Sequence, residues 1–512
     1  MTDGTLNVQE IVAHIKAKAT NPQADMTLDS RRVKTGDVFV ALKGQKTDGL
    51  NYIAAAKEKG AAVVLCEKRE DALEKCADLP FVEVENLARQ TGVIASAFYK
   101  FPTSHMRGIA VTGTNGKTST SHWVGDLLGM LHHPCSVIGT IGAFLGEKRF
   151  EVPSLTTPDA VSLQRLFKDI YEAGAQCFAM EASSIGLEQG RMAGTQLETA
   201  LFTNLTRDHL DYHKTFEAYE AAKSILFDWP GLKNAVINAD DVAGIRFIDQ
   251  SLKNGLNVIA YALEKDGNVD KIPVGVKHLI AKNICATTHG MQFEIVWQGE
   301  TYTTTTHVLG EFNVSNLLGV AGVLLSLGLN PNAVFSRLER LKAPKGRLEP
   351  VKLLDTDIQV PLAVVDYAHT PDALEKAILA LRAVAQARGG KICAVFGAGG
   401  DRDPGKRPIM GEVAARFADT VICTSDNPRT EDPQTIADQV AVGVAKRKDP
   451  TVILDRREAI FKAIELADSK DIVLIAGKGH EDYQEVMGVK HHFDDTEVAQ
   501  EALKQYASNK NL

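Results

Sequence analysis

A chain of 512 residues is too long for one hydrophobic core and leads to the expectation of about three domains. Hydrophobic residues at 44% and charged residues at 24% match an ordinary globular enzyme. A net charge of −8 argues against a nucleic-acid-binding surface, which needs Lys and Arg in excess, but leaves room for anionic small ligands held by local cations and helix N-termini.

No apolar run approaches the ~18 residues of a transmembrane helix, and the opening MTDGTLNVQEIVAHIK lacks the continuous apolar stretch of a signal peptide. The 7 cysteines include no C-x-x-C pair and are irregularly spaced. A reduced, cytoplasmic protein without disulfides or zinc is expected, with no membrane partner. In chain order, the strand-like runs DVFVAL at 37–42 and AAVVLC at 61–66 come first, separated by a helical stretch. After Phe101-Pro102-Thr103 each apolar run (GIAVTG, QCFAMEAS, TALFTNLT, AVINADD) leads into a polar loop and an amphipathic helix. That alternation predicts a parallel sheet with ligands beyond the carboxyl ends of its strands.

Between roughly Lys277 and His307 polar and apolar residues alternate, as in an antiparallel meander appended to this domain. A second α/β series (LAVVDYAH, KICAVFGAGG, TVICTSDNP, DIVLIAGKGH) begins near 362, beyond a linker at 342–348. The expected architecture is α/β with three domains. Residues 1–103 form a small N-terminal α/β domain, 104–344 a central phosphate-loop parallel sheet with the antiparallel appendage, and 345–512 a Rossmann-like α/β domain.

Ile109-Ala110-Val111 reads as a strand, followed by Thr112, Gly113, Thr114, Asn115, Gly116, Lys117, Thr118 and Ser119, and then a helix through Leu128. A Gly-rich turn between strand and helix cradles phosphates with backbone N–H groups and a helix N-terminus. Lys117 would reach the β- and γ-phosphates, and the Thr118 hydroxyl would face Mg²⁺. The usual first Gly falls on Val111, so the loop is a shorter variant. The alternative is a surface turn that happens to contain Gly-Lys-Thr. Further strand ends carry Glu181 and the run Thr206-Arg207-Asp208-His209, either metal groups or helix caps and surface residues. Lys223 lies on a helix with a Phe, Tyr, Ile and Leu face, where periodicity alone favours a snorkelling side chain.

The blocks TGTNGKTS, MEASSIGLEQGR, NLTRDHLDYH, EAAKS, VDYAHTPDAL, FGAGGDRDPGKRPIMG, SDNPRTEDP and AGKGHEDYQ stand in an order that resembles the Mur ligases over nearly the whole chain. The likeness is strongest to the member that adds the third peptide residue. The resemblance implies a cytoplasmic, monomeric, ATP-dependent amide ligase of peptidoglycan precursor synthesis. Its substrates would be UDP-N-acetylmuramoyl-L-alanyl-D-glutamate and meso-diaminopimelate. It also implies that Leu28, Ser30, Gln45, Lys46 and Thr47 hold the uridine nucleotide. Thr156, Thr157, Ser183, Gln189 and Arg191 would contact the muramoyl-peptide. Thr118, Glu181 and His209 would serve Mg²⁺ at two sites, and Lys223 would be carbamylated. Asn313, Asn316, Arg347 and Asp366 would meet ATP. Two departures stand out: Leu155 replaces the Asn that usually precedes Thr-Thr, and Ile185 replaces the His that often follows Ser-Ser.

The C-terminal strands end in polar loops that can converge on one zwitterion: Gly399 to Arg402, then Asp426, Asn427, Pro428 and Arg429, then Gly477 to Glu481. Arg402 and Arg429 suit carboxylates through bidentate hydrogen bonds, and Glu481 suits an ammonium; the alternative is arginines solvated at a surface. In the family, Asp-Asn-Pro-Arg accompanies diaminopimelate, while lysine-adding members lack the Arg. Competing readings are the same ligase using L-lysine, a folylpolyglutamate-synthase-like ligase, a nucleotide-dependent switch and a dinucleotide oxidoreductase. Against the last, Arg402 stands where the third Gly of its fingerprint belongs.

Overall fold

Strands buried on both faces organise the first hundred residues. In the computed structural model, which describes residues 7–19, 21, 23–44, 47–76, 79–153, 155–265, 269–352 and 359–510, β1 (Met26–Thr27), β2 (Val38–Ala41), β3 (Val63–Glu67) and β4 (Phe81–Val84) form a parallel sheet in sequence order. The runs expected at 37–42 and 61–66 are β2 and β3. Their period-2 alternation divides them between two cores: Val38, Val40, Val63 and Leu65 face one, while Phe39, Ala41, Val64 and Cys66 face the other.

The next strands are β5 (Arg107–Thr112), β6 (Cys135–Gly139), β7 (Gly142–Leu145), β8 (Lys148–Phe150), β9 (Cys177–Glu181), β10 (Thr199–Phe202), β11 (Asn234–Asn238) and β12 (Asn257–Leu263). They lie in the order β12-β11-β10-β5-β9-β6-β7-β8, parallel from β12 to β6 and antiparallel from β6 to β8. β5 is central, so the loop leaving its carboxyl end is flanked by the ends of β9 and β10. Val111 pairs in register with Glu181, and Thr112 with Phe202. This is the strand-end edge at which parallel sheets bind ligands. The helix Ala160–Glu172 is started by Asp159, whose carboxylate accepts from Val161 N at 3.1 Å and Ser162 N at 2.9 Å. It buries Leu163, Leu166, Phe167 and Ile170. Its Arg165 also meets Asp25, the residue before β1, at 3.0 Å.

Contacts divide the chain into two compact units, Met1–Leu279 with Gly319–Val334, and Ile280–Leu318 with Phe335–Leu512. β13 (Lys277–Thr287), β14 (Gly290–Trp297) and β15 (Glu300–Thr306) lie side by side, and β14 and β15 pair antiparallel as the alternation predicts. The remaining strands are β16 (Glu349–Pro350), β17 (Leu362–Asp366), β18 (Ile392–Phe396), β19 (Thr420–Cys423), β20 (Thr451–Val452), β21 (Ile472–Ala476) and a hairpin, β22 (Tyr483–Val486) with β23 (Val489–His492). β16 to β21 form a sheet of order β16-β17-β21-β18-β19-β20, parallel from β17 onward. Apolar cores cover both of its faces, one around Val364, Phe396 and Leu474, the other around Val365, Val395 and Ile475. The fully buried Arg456 is matched bidentately by Asp495 at 2.7 Å through each nitrogen, which satisfies a charge that would otherwise be costly in a core. Among the described residues no helix is long and apolar enough to cross a membrane.

Candidate active site

Leaving β5, the chain turns at Gly113 with φ 147°, a region L side chains rarely adopt, and a Cβ there would lie 1.9 Å from Thr203 Oγ1. The loop is clamped to the exit of β10. Thr206 N donates to Thr114 Oγ1 at 2.9 Å, Asn115 N to Asn204 Oδ1 at 3.0 Å, and Thr203 Oγ1 to Asn115 O at 2.6 Å. Gly116 precedes the helix Lys117–Met130, whose first turn holds the buried Thr118 and Ser119. Strand, loop and helix N-terminus thus form a backbone cradle of the kind that suits phosphates, and the loop is clamped to β10 rather than loose at a surface.

Lys117 Nζ donates to the carbonyls of Gly113 at 2.8 Å and Thr114 at 2.9 Å. Lys223 Nζ donates to that same Gly113 oxygen at 2.8 Å. Lys223 does not snorkel: it is 1% exposed, with its amine 4.5 Å from the centre of the Tyr219 ring. The loop, not solvent, offers the nearest acceptor; of the expected apolar face Tyr219 and Leu226 are buried with Lys223, whereas Phe216 and Ile225 are exposed. Burial holds the Lys223 amine well below the usual lysine range, and the neighbouring Lys117 ammonium pushes it further down against the pull of Asp208.

Glu181, 1% exposed, closes the other side of the cradle. Thr140, one residue past β6, donates to its carboxylate through N at 2.9 Å and through Oγ1 at 3.2 Å. Gly139 makes this approach possible, since a Cβ there would lie 2.1 Å from Glu181 Oε1. Thr156 Oγ1 lies 3.1 Å from Thr140 Oγ1, and Thr157 Oγ1 donates to Glu181 O at 2.8 Å and sits 3.0 Å from Ser183 Oγ. Arg191 reaches Thr157 O at 2.9 Å and Gln189 Oε1 at 2.8 Å. Thr156, Thr157, Ser183, Gln189 and Arg191 therefore form one connected polar wall beginning at Glu181.

His209 heads the short helix Leu210–His213. It lies at φ 51°, its side chain is 46% exposed, and its ring is 3.6 Å from Asp208 and 6.1 Å from Tyr219. Among the described residues no three His, Cys, Asp or Glu side chains converge as a metal cage. The oxygen donors at the cradle are Glu181 and the hydroxyls.

Leu28, Gln189 and Arg191 line a cavity of about 1620 Å³ within the first unit. Ser30 is buried at the start of a short turn of helix capped by Asp29. Thr47 is exposed and returns its carbonyl to Gly44 N at 2.9 Å, while Gln45 and Lys46 lie outside the described residues.

In the second unit Asn313 donates to Leu309 O at 2.9 Å and Asn316 to Asn313 Oδ1 at 3.1 Å, both nearly buried. Arg347 lies 5.0 Å from the centre of the Tyr367 ring. Asp366 accepts from Leu348 N at 2.7 Å and Ala368 N at 2.8 Å; burial raises its pKa while Arg347 opposes the rise. Gly477 N donates to Asp366 O at 3.0 Å.

The expected loops at the ends of β18, β19 and β21 do converge. Asn427 Nδ2 donates to Glu481 Oε2 at 2.8 Å, and Gly400 N to Asn427 O at 2.9 Å. Buried Asp426 and Pro428 flank Asn427, and Arg402 is exposed. Burial pushes the Glu481 carboxyl up against the pull of Lys478, whose Nζ lies 3.7 Å from Oε2. Arg429, at φ 51°, is not left without a partner: Nη1 donates to Gly400 O at 2.7 Å, and Nε lies 3.7 Å from Glu485 Oε2.

Sequence reasoning passed over several participants. Thr140 carried a weak signal, a hydroxyl just past a strand end. Arg407 carried none, because a fully buried Arg looks like any helix-start cation. Its guanidinium grips Glu431 twice at 2.8 Å and Gly399 O at 3.2 Å, tying together the loops that bear Arg402 and Arg429.

The Mur ligase middle-domain profile matches residues 111–324, the Mur ligase glutamate-ligase-domain profile 346–479, and the Mur ligase family catalytic-domain profile 24–99. The chain is 44% identical over 95% of its length, and 95% of the relative's, to the UDP-N-acetylmuramoyl-L-alanyl-D-glutamate--2,6-diaminopimelate ligase of Janthinobacterium sp. (strain Marseille). A solved structure of a ligase of that same name aligns with TM-score 0.68 at 35% identity, covering 95% of this chain and 96% of the other. A MurF ligase from Thermotoga maritima, in complex with ADP, shares the fold at TM-score 0.61 and 19% identity, covering 95% of this chain and 98% of its own. With kinship of that depth running through both units, the chain belongs to the Mur ligase family.

Proposed function

We propose that this chain is an ATP-dependent ligase joining meso-diaminopimelate to the D-glutamyl γ-carboxylate of UDP-N-acetylmuramoyl-L-alanyl-D-glutamate, in the cytoplasmic supply of peptidoglycan precursor. The observation that carries the reading is the grouping of Lys117, Lys223 and Glu181 around the loop that leaves β5. It is read together with the full-length kinship and with the loops around Arg429 and Glu481. On this reading residues 1–103 hold the uridine nucleotide, 104–344 ATP and 345–512 the amino acid. Thr156, Thr157, Ser183, Gln189 and Arg191 face the muramoyl-peptide, and Asn313, Asn316, Arg347 and Asp366 serve the nucleotide.

Amide formation needs the carboxylate oxygen converted into a leaving group. The γ-phosphoryl of ATP passes to the D-glutamyl γ-carboxylate, giving an acyl phosphate and ADP. The free amine of diaminopimelate attacks the acyl carbon, the C–O bond to phosphate breaks, and inorganic phosphate leaves with the proton the nitrogen gives up as the amide forms. Lys117 neutralises charge on the transferring phosphoryl, and the helix N-terminus holds the flanking oxygens. The polar wall beginning at Glu181 positions the acceptor carboxylate, which is most of what such a transfer asks of a protein. The donor set suits Mg²⁺, with Thr118, Glu181, His209 and a carbamate on Lys223 as its holders, and the ion would supply further neutralisation of phosphate charge.

The environment of Lys223 supports the carbamate. A buried amine with its ammonium form disfavoured is free to add CO₂, forming an N–C bond and releasing one proton. The product keeps one N–H, so the bond to Gly113 O can survive, and the like-charge pressure from Lys117 becomes attraction. Crystals grown with bicarbonate should show additional density on Lys223 Nζ, and short carboxylic acids should partly restore activity to Lys223→Ala. Bare Nζ density together with full activity in CO₂-free buffer would overturn the assignment.

The reaction itself is tested by phosphate release from ATP. Release should require both the UDP-muramoyl-dipeptide and diaminopimelate, and should fall sharply when either is omitted or when L-lysine replaces diaminopimelate. Release that ignores the muramoyl substrate, or that prefers lysine, contradicts the reading.

A further inference from the structure

The hairpin of β22 and β23 is absent from every sequence expectation, yet β22 lies along the Asp426–Arg429 loop. Glu485 N donates to Asn427 Oδ1 at 2.9 Å, Arg429 N donates to Glu485 O at 3.0 Å, and Gln484 Nε2 donates to Asp426 O at 2.7 Å. Arg429 and Val486 complete a β-bridge. The backbone of Glu485 is therefore fixed by the loop, and its side chain is delivered to the guanidinium of Arg429.

That delivery is incomplete in an informative way. Glu485 Oε2 stops 3.7 Å from Arg429 Nε, close enough to pair electrostatically but too far for a hydrogen bond. The two side chains are 23% (Arg429) and 26% (Glu485) exposed, so the pair is sheltered without being sealed. Nη1 is already committed to Gly400 O at 2.7 Å. The fork formed by Nε and Nη2, the edge on which a substrate carboxylate would dock bidentately, is the edge that Glu485 faces.

We propose that Glu485 is a specificity-determining residue, the protein's own counter-ion for Arg429, which the distal carboxylate of diaminopimelate displaces or shares. The proposal rests on the reading that this loop receives diaminopimelate. Its consequences differ in sign for two amino acids. Toward diaminopimelate, Glu485 is a like charge beside the incoming carboxylate and weakens binding. Toward lysine, which brings the same distal ammonium without the carboxylate, Glu485 offers an anion with no like charge opposing it and screens Arg429. The residue therefore limits how strongly the pocket discriminates, by moderating both attraction and repulsion.

Glu485→Gln keeps the size of the side chain and leaves the backbone ladder intact while removing the charge. KM for diaminopimelate is expected to fall severalfold, and KM for lysine to rise severalfold, with kcat nearly unchanged. Where lysine turnover is too slow to follow, its Ki as a competitor of diaminopimelate is read instead. Glu485→Asp, which retains the charge, should leave the order and direction of both constants as in the wild type. A purely structural role for Glu485 would move both substrates the same way. Parallel shifts, or none, in a Glu485→Gln variant of wild-type melting temperature overturn this inference alone. A wild type that does not turn over diaminopimelate overturns the functional reading with it.

Discussion

Replacing Lys117 with Ala is expected to lower acyl-phosphate formation by about a hundredfold or more, the usual loss for a fixed charge aimed at a developing anion. The loop itself should survive the change. Its path is held by Thr206 N on Thr114 Oγ1, Asn115 N on Asn204 Oδ1 and Thr203 Oγ1 on Asn115 O, none of which involves Lys117. The lost bonds from Nζ to the Gly113 and Thr114 carbonyls leave those oxygens with Lys223 or water as donors. A second effect runs through Lys223. With the Lys117 ammonium gone, one cause of its lowered pKa disappears, its charged form becomes easier to populate, and CO₂ uptake declines. The measurement is ADP formation in a single turnover with both other substrates bound, beside a melting curve to establish that the variant is folded. Near-normal turnover in Lys117→Ala would mean that the loop after β5 does not hold the transferring phosphoryl.

Much of the strand-end edge that holds the candidate site was legible because it obeys local rules. A strand, a Gly-rich turn and Lys-Thr at a helix start are contiguous in the chain, so Gly113 to Ser119 could be placed from residue order alone. Glu181 was legible for a related reason: a polar residue ending an apolar strand run falls on the ligand edge of a parallel sheet, and the register opposite Val111 puts it there. The converging C-terminal loops followed from the same logic.

What escaped depends on pairings that residue order does not encode. Lys223 sits on a helix whose periodicity describes a core face, and only the packing of that helix under Gly113 turns a snorkelling lysine into a buried amine. Thr140 and Arg407 act through partners 41 and 24 residues away, Glu181 and Glu431. The hairpin of β22 and β23 was hidden for a different reason. It turns at Met487 and Gly488, with φ 49° and 77°, which suits a tight primed turn, but the Asn-Gly or Asp-Gly pair that announces such turns is missing. Without that signal, Glu485 reads as one more charge in a polar tail.

Arg429→Ala should change which amino acid the enzyme prefers. Diaminopimelate differs from lysine by a carboxylate on the carbon that carries the distal amine. On the proposed reading that carboxylate meets the Nε and Nη2 edge of a guanidinium already oriented by Gly400 O. A bidentate, charge-assisted contact of this kind contributes about 2–3 kcal/mol, so kcat/KM with diaminopimelate should drop roughly 30- to 150-fold. The loss is smaller than for a sealed ion pair because Arg429 is 23% exposed and already has Glu485 at 3.7 Å. For the same reason lysine is not faced with a bare cation in the wild type. Once Arg429 is removed, Glu485 stays behind as an anion without its counter-ion, repelling the distal carboxylate of diaminopimelate and attracting the ε-ammonium of lysine. Lysine use should therefore hold steady or improve while diaminopimelate use falls. The backbone conformation is not a confounder, since Arg and Ala bear the φ 51° geometry at similar cost. The measurement is kcat/KM for both amino acids in wild type and variant. Equal losses with both would mean that Arg429 only braces the loop against β22, and a wild type that prefers lysine would remove the basis for assigning diaminopimelate at all.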